Sequence, residues 1–545
     1  MEQLSIGSLK RLGKAAKESQ TGSGSDISGI DDLGDDLLLN VLRRLPAVSF
    51  ASAACVNHSW NSLCNRILSS PKFASAISFN PSLENAVGEV IDKVLSEPIR
   101  PHFALASIGP SSSLEAALEQ IDRKLGSRVP IIVNIAEGII GPDISDNHPV
   151  EVQWELTEGE EEDGLLSPEG NVNQGILLTI GYLPGLKTFV LPFLFQHKVG
   201  PKDFHVDEFV MDIKKYTAVT SDTESPAGMI LFADQETDLK SFLQKFEYAF
   251  PKETFIVGDG GSRFLYKNDI TTVTRSDDST CAAVALVFSK DRRKPLGIGE
   301  SEFHVMLSTG ISPIGGIYKA VSVKCRNHGT WLTAARETDR LQLDGQTILD
   351  EIYDKLGDHI QYPAFYIGVT KRRRCSVGKG RVKRMEFHEF HHVDDANEEY
   401  LIVSSTGIQT GDRFRFYVSD SKAALSSSKK VTDSLAYLKQ DCDSKNDHAD
   451  ASSSHCGKRQ VFGGMIFSCC GRGTSFFAHP GIDSSPFSTN FPGIPFGGTY
   501  CAGEIARSLF SSYSSEDDRE GCLVHCNQHV FSTVYLVMSY HLPAP

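Results

Sequence analysis

The sequence predicts an α+β multidomain protein: a small three-helix block at 30–75, then a large mixed α/β region with layered β-sheets flanked by helices. Two observations carry this. A leucine-rich helical pattern occupies DDLGDDLLLNVLRRLPAVSFASAACVNHSW, residues 31–60. From about residue 90 onward, short Val/Ile/Phe runs alternate with patterns of helical spacing.

Bulk properties bound the function. The chain has 545 residues, 40% of them hydrophobic, enough for sizeable cores. A net charge of −15 argues against a general nucleic-acid binder, whose footprint would be basic. No apolar run reaches the roughly 18 residues of a membrane span, and the first twenty residues lack a secretory signal's apolar core. A soluble cytoplasmic and/or nuclear protein without membrane partners is therefore expected. Its 12 cysteines, with no CxxC pair, are then thiols rather than disulfides or a zinc ribbon.

The expected organisation is a disordered arm at 1–29, the helical block at 30–75, and two α/β domains at 90–295 and 296–545. Three polar interruptions stand out. ELTEGEEEDG (155–164) is acidic, KRRRCSVGKGRVKR (371–384) holds eight basic residues in fourteen, and 441–460 reads as a disordered insert. No leucine-rich pattern of 20–29 residues recurs.

In the helical block, Asp35 or Asp36 can cap a first helix. Leu37, Leu38, Val41, Leu42 and Leu45 fall on one stripe. Pro46 lacks an N–H and ends that helix. Ser49 can cap a second helix running through Val56, and a third carries Trp60, Leu63, Cys64, Ile67 and Leu68. Forty residues bury little surface alone, yet this block holds more leucine than its own core needs. Of Leu38 and Leu39, only one is expected to face inward. The surplus implies a partner groove; the competing reading is a helical cap packed on the large domain.

Leu33-x-Asp35-Asp36-Leu37-Leu38-Leu39-x-Val41-Leu42-x-x-Leu45-Pro46, then Cys55-Val56-x-x-x-Trp60, resembles the F-box. Gly34 stands where that family usually has proline. The resemblance implies that Leu33, Leu37, Leu38, Val41, Leu42, Leu45, Pro46, Val56 and Trp60 form the adaptor-facing surface and small core. It also implies a substrate-recognition subunit of an SCF-type cullin-RING ubiquitin ligase. The partners would be a Skp-family adaptor and, through it, the cullin and RING subunits. Such a chain contributes proximity, with no catalytic residue and no cofactor of its own.

Strands are expected at 131–135, 176–180, 229–233, 254–257 and 282–288, and helices along Leu114–Leu125 and Leu239–Phe250. The apolar strands read as buried on both faces. Glycine turns AEGIIG (136–141), IGYLPG (180–185) and GDGGS (258–262) could admit a ligand or simply make tight turns. None matches a nucleotide-binding fingerprint. Further strands are expected at 303–308, 400–404, 413–418, 461–468 and 530–538, and a helix over 421–439. LQLDGQTILDEI (341–352) reads as strand, Asp-Gly turn and helix.

IFSCCGRG (466–473) raises the question of a cysteine nucleophile. Arg472 could lower a thiol pKa, but Arg472 follows too soon for a phosphate-cradling loop, and buried cysteine commonly behaves as a small hydrophobe. FSCCGRG, FPGIPFGGTYCAGEI (491–505), STGISPIGGIYKAV (308–321) and LQLDGQTILDEI resemble the C-terminal half of the FIST domain; 90–295 resembles its N-terminal half more loosely. The family is named for F-box and intracellular signal-transduction proteins, and a small-ligand-sensing role is implied. Cys469, Arg472, Tyr500 and Glu504 would then line a pocket, where Glu and Arg could bind a zwitterion. Ligand sensing and a cysteine-dependent enzyme are the rival functions.

His388, His391 and His392 in HEFHH could hold a divalent ion, but a surface histidine run is the simpler reading, with His388 and His392 sharing one strand face. Cys522, His525, Cys526 and His529 could converge on a helix, yet the segment that follows, VFSTVYLVM (530–538), reads as a terminal strand. No metal site is expected. The basic run reads as a solvated loop or a nuclear import signal.

Overall fold

A computed structural model of the chain describes residues 34–154, 173–196, 202–268, 279–326, 329–338, 342–356, 363–404, 407–447, 459–510 and 523–542. The arm at 1–29, Leu33, the acidic loop at 155–164 and Cys522 lie outside the described residues.

Three helices open the chain: α1 (Asp35–Leu42), α2 (Ala47–Ala53) and α3 (His58–Ile67). Gly34, not an aspartate, occupies the cap of α1, with no side-chain bond. Asp35 and Asp36 instead lie in the first turn, where negative charge suits the helix dipole. Pro46 ends the first segment and caps α2, so Ser49 lies inside that helix rather than at its start. Asn57 caps α3, its Oδ1 accepting the Trp60 N–H at 2.8 Å.

Along the chain follow β1 (Lys72–Ser78), α4 (Leu83–Val94), β2 (Phe103–Ile108), α5 (Leu114–Leu125), β3 (Ile131–Ile135), β4 (Gly138–Pro142), β5 (Pro149–Gln153), β6 (Ile176–Tyr182) and β7 (Leu186–Gln196). Next are α6 (Lys202–Thr220), β8 (Gly228–Ala233), α7 (Leu239–Ala249), β9 (Phe255–Asp259), β10 (Phe264–Lys267), β11 (Ser279–Lys290), β12 (Glu300–Thr309), β13 (Ile311–Arg326), β14 (Gly329–Arg336) and β15 (Gln342–Leu343). The chain continues with α8 (Gly345–Leu356), β16 (Phe365–Cys375), β17 (Lys383–Ala396), β18 (Leu401–Val403), β19 (Arg413–Ser419) and α9 (Ser421–Asp447). It closes with β20 (Arg459–Cys469), α10 (Thr474–Phe477), α11 (Ser485–Asn490), β21 (Phe496–Cys501), β22 (Glu504–Phe510), β23 (Leu523–Gln528) and β24 (Ser532–His541).

The fold class is the expected mixed α/β one; the connectivity is not two separate halves. Three sheets form, in the orders β1-β6-β2-β3-β10, β23-β22-β9-β8-β11-β7 and β12-β24-β20-β21-β4-β5. Each holds one parallel pair joined by a helical crossover: β2 and β3 through α5, β8 and β9 through α7, β20 and β21 through α10 and α11. After each pair the chain leaves its sheet. β4 pairs with β21, β10 with β3 and β22 with β9, so each unit lends strands to a neighbour in a cyclic exchange. The chain does pass from one sheet to another near 295/296, between β11 and β12, but two of the three sheets combine strands from both sides of that point.

The inner faces of the three sheets meet in one core, with Phe103, Leu105, Ile230, Phe232, Met465, Phe467 and Leu536 among its members. Their outer faces are covered by α4 and α5, by α6 and α7, and by α9 and α11. That double covering is why 131–135 and 229–233 read as continuous apolar runs.

A fourth sheet, β13-β19-β16-β17-β18-β14, closes through pairing of β14 with β13 into a small barrel. α8 contributes Ile348, Leu349 and Ile352 to its interior beside Tyr318, Phe414 and Phe416. The expected Asp-Gly turn is the start of that helix, with Asp344 Oδ1 accepting the Thr347 N–H at 2.7 Å. The helix expected over 421–439 runs on to Asp447, and β20 begins at Arg459. Both ends of the expected disordered insert are thus ordered, and 448–458 lie outside the described residues.

Candidate functional site

The helical block has its own core. Leu38, Leu39, Leu42, Phe50, Ala53, Leu63, Cys64 and Ile67 are buried against one another, with Leu45 and Trp60 half-buried at the margin. The expected single stripe is therefore divided: Leu38 and Leu42 face in, while Leu37 and Val41, one turn apart, are 58% and 46% exposed. Leu38 and Leu39 both face inward, joining one core with residues of α2 and α3. Val48 and Val56 are 72% and 59% exposed, and Pro46 is exposed. Val48 is the apolar exposed residue that periodicity missed, lying outside the leucine spacing. The block touches the body at the Ala47 N–H bond to the Leu95 carbonyl, 2.9 Å, and at the Tyr540 hydroxyl bond to the Ser69 carbonyl, 3.0 Å.

A second site lies where the carboxyl ends of the three parallel pairs converge, a place where α/β sheets commonly bind ligands. Three backbone bonds tie it together: Glu137 N–H to Tyr500 O at 3.1 Å, Gly260 N–H to Gly503 O at 2.7 Å and Cys470 N–H to Cys501 O at 2.8 Å. Asp259 and Glu504 sit opposite each other across β9 and β22. Burial pushes the Asp259 carboxyl up to about 7 and the Glu504 carboxyl well above its ordinary value. Glu504 Oε1 accepts the Ser532 N–H and hydroxyl, both at 2.8 Å; Oε2 is buried without a hydrogen-bond partner among the described residues.

The structure places all four expected pocket residues, Cys469, Arg472, Tyr500 and Glu504, in this region, and all are buried. Arg472 is consumed by the chain itself. Its Nε and Nη2 donate to Asp483 Oδ1 at 3.0 and 2.8 Å, Nη1 to the Phe531 carbonyl at 3.0 Å, and its guanidinium stacks over Phe477 at 4.9 Å. Asp483 is equally saturated, accepting the hydroxyls of Ser468 at 3.0 Å and Thr533 at 2.8 Å. An arginine so engaged has little left for a zwitterion. The Tyr500 hydroxyl bonds Glu151 at 3.3 Å. Hydrogen bonding with Cys470, together with burial, pushes the Cys469 thiol well up, the wrong direction for a nucleophile. Cys470 is the exposed member of the pair.

The glycine turns serve packing. A Cβ at Gly258, whose φ is +153°, would meet the Leu231 carbonyl oxygen at 1.9 Å; one at Gly138 would meet the Val152 carbonyl oxygen at 2.3 Å. The central core also holds a cavity of about 20 Å³ lined by Ser107, Thr179 and Thr499 among apolar groups, room for one water.

Residues 30–69 match the F-box domain, and 380–507 match the FIST C domain. The chain is also 40% identical over 526 residues to an F-box/LRR-repeat protein of Arabidopsis thaliana, covering 95% of this chain and 94% of the relative. The chain belongs to the F-box protein family. F-box proteins are generally non-catalytic adaptors of SCF-type ubiquitin ligases, and F-box domains typically bind Skp-family adaptors there. The F-box is the block α1 to α3, and it ends before β1. The FIST C match begins in the β16–β17 hairpin and runs through β20 and β21 into β22. Although the relative's name carries leucine-rich repeats, the described sheets of this F-box protein are mixed or antiparallel, not a solenoid.

The remaining clusters fall elsewhere. His388 and His392 share one face of β17 as expected, but His391 is buried, which corrects the reading of a surface run. It lies beside Glu389 at 3.8 Å and Lys240 at 3.4 Å, and burial pushes its pKa down to about 2. Residues 523–528 are strand, so the helical spacing that would bring Cys522, His525, Cys526 and His529 together does not apply. No group of three metal-ligating side chains occurs among the described residues, and no described helix is long and apolar enough to cross a membrane. The basic run is a β-hairpin, not a solvated loop, since β16 and β17 pair from Cys375–Lys383 back to Tyr366–His392.

Proposed function

We propose that this chain is a substrate-recognition subunit of an SCF-type cullin-RING ubiquitin ligase. The F-box docks on a Skp-family adaptor through Leu37, Val41, Pro46, Val48 and Val56, with Leu38, Leu42, Leu45 and Trp60 holding the block in shape. The FIST-containing body recruits a protein target and raises its effective concentration near the charged enzyme. Such a subunit needs no catalytic residue and works in the cytoplasm, the nucleus or both.

One observation carries this reading: the helical block closes a complete core of its own and still leaves Leu37 and Val41 in solvent on one helix face. An apolar pair one turn apart suits a helix-in-groove contact. Co-purification of full-length chain with the adaptor tests it. Leu37→Asp/Val41→Asp is expected to abolish capture while the body stays folded; capture that survives both charges overturns the docking face.

The unpartnered Glu504 Oε2 favours a second reading, ligand sensing at the strand-end junction. A protonated carboxyl there would donate to a neutral or anionic acceptor. Thermal shift against a panel of amino acids and carboxylic acids, compared with Glu504→Gln, tests that reading.

A further inference from the structure

The β16–β17 hairpin projects from the barrel and uses its two faces differently. Its inner face is anchored to the body. Arg373 pairs with Glu389 at 2.7 Å, and Lys240 of α7 lies 3.7 Å from the same carboxylate. Lys371 is buried against Asp412 and bonds the Gly407 carbonyl at 2.8 Å. At the turn, Lys245 donates to the Ser376 carbonyl and Tyr248 to the Arg381 carbonyl, both at 2.7 Å. Val377 joins the core under α6 and α7. The hairpin is therefore held rigidly along its length.

Its outer face and tip carry exposed Arg372, Arg374, Lys379, Arg381, Lys383 and Arg384. Arg372 pairs with Glu386 at 2.8 Å. Arg374, Lys379, Arg381, Lys383 and Arg384 make no ion pair among the described residues; Lys383 lies over the Tyr248 ring at 5.2 Å. Arg374 sits directly opposite Arg384 in the ladder. Like charges facing each other across strands destabilise a hairpin. A chain with net charge −15 thus concentrates unpaired cations on one preorganised ridge, with no acidic residue between 371 and 384.

We propose that this ridge is a docking surface for an anionic protein segment, a stretch rich in carboxylates or phosphates on the recruited target. Two opposed guanidinium groups offer forked, charge-assisted bonds to such groups. A nucleic acid is the less fitting polyanion, because a single hairpin on an acidic protein neutralises few phosphates. The proposal rests on the recruiting role above and names the target's chemistry.

The test uses full-length chain in complex with the adaptor and four fluorescent probes: a Glu/Asp-rich 15-residue peptide, a phosphoserine peptide, its unphosphorylated neutral form, and a single-stranded oligonucleotide of equal charge. Anisotropy is read at low and high salt. One or both anionic peptides are expected to bind, weakening with salt, and the stronger of the two identifies carboxylate or phosphate as the preferred anion. Arg374→Glu/Arg384→Glu is expected to weaken binding by about tenfold or more, while Lys429→Glu/Lys430→Glu on the exposed face of α9 leaves it unchanged. The double reversal keeps a like-charge pair, and circular dichroism checks its fold. Adaptor capture is measured on the same samples, so failure of docking on the adaptor is distinguished from failure of the ridge. Failure of both anionic peptides to bind, equal weakening in both double variants, or tighter binding of the oligonucleotide overturns the proposal.

Discussion

Leu37 and Leu38 are adjacent on α1 and have opposite environments: Leu38 is 4% exposed within the helical core, and Leu37 is 58% exposed. Helical geometry turns successive side chains by about 100°, so a leucine pair at one end of a short helix serves two surfaces at once. Leu37→Asp/Val41→Asp should therefore leave the thermal midpoint nearly unchanged while adaptor capture is lost. Leu42→Ala removes a fully buried side chain and should cost about 2–5 kcal/mol in denaturant unfolding of the block.

Arg472 and Asp483 are both completely buried. Burial alone would push the proton off Arg472, but Asp483 more than offsets it, and the net shift is upward. Removing one partner strands a buried charge. Arg472→Ala should destabilise the protein by about 3–5 kcal/mol in urea unfolding, and Arg472→Met/Asp483→Leu should recover part of that loss. A ligand-binding arginine would instead give a small stability change and a large loss of affinity.

Asp259 gives a pH signature. Its folded pKa, about 7, lies above the ordinary value near 3.8 because the carboxyl is buried. The folded state therefore holds a proton that the unfolded chain releases. The contribution is complete below pH 4 and is lost as pH rises toward 7. Asp259→Asn keeps an acceptor for the Gly261 N–H and cannot ionise. Its stability should fall less than that of the parent between pH 4 and 7, by on the order of a few kcal/mol, measured by denaturant midpoints at each pH.

The vicinal cysteines should behave unequally. Cys470 is exposed; Cys469 is buried with its thiol pKa raised. Brief maleimide treatment of native protein followed by peptide mapping should label Cys470 and spare Cys469. Rapid labelling of Cys469 would revive the cysteine-enzyme reading.

Arg374 and Arg384 face each other at a cost. Arg374→Glu alone creates an opposite-charge pair and should stabilise the hairpin by about 0.2–1 kcal/mol, read as a raised thermal midpoint, while weakening anionic peptide binding. A ridge selected only for stability would show the gain without the loss.

The sequence by itself determined what local chemistry controls. Short continuous apolar runs mark the central strands, including 131–135 and 229–233, and leucine spacing with Pro46 marks the F-box helices. Those signals are strong because each segment's burial is written in consecutive residues. The tertiary structure decided everything that depends on distant pairing. Glu137, Asp259 and Glu504 meet because three crossover units exchange strands, and nothing in the neighbourhood of any one of them announces the others. Arg472 looked available until the fold brought Asp483 and the Phe531 carbonyl to it. The basic run reads as a loop in sequence because its charges hide a period of two: Lys371 turns inward to Asp412 beyond the hairpin and Arg373 to Glu389 of the facing strand, while Arg372 and Arg374 turn out. A charged side chain is buried only when a partner meets it, and that partner is chosen by the fold.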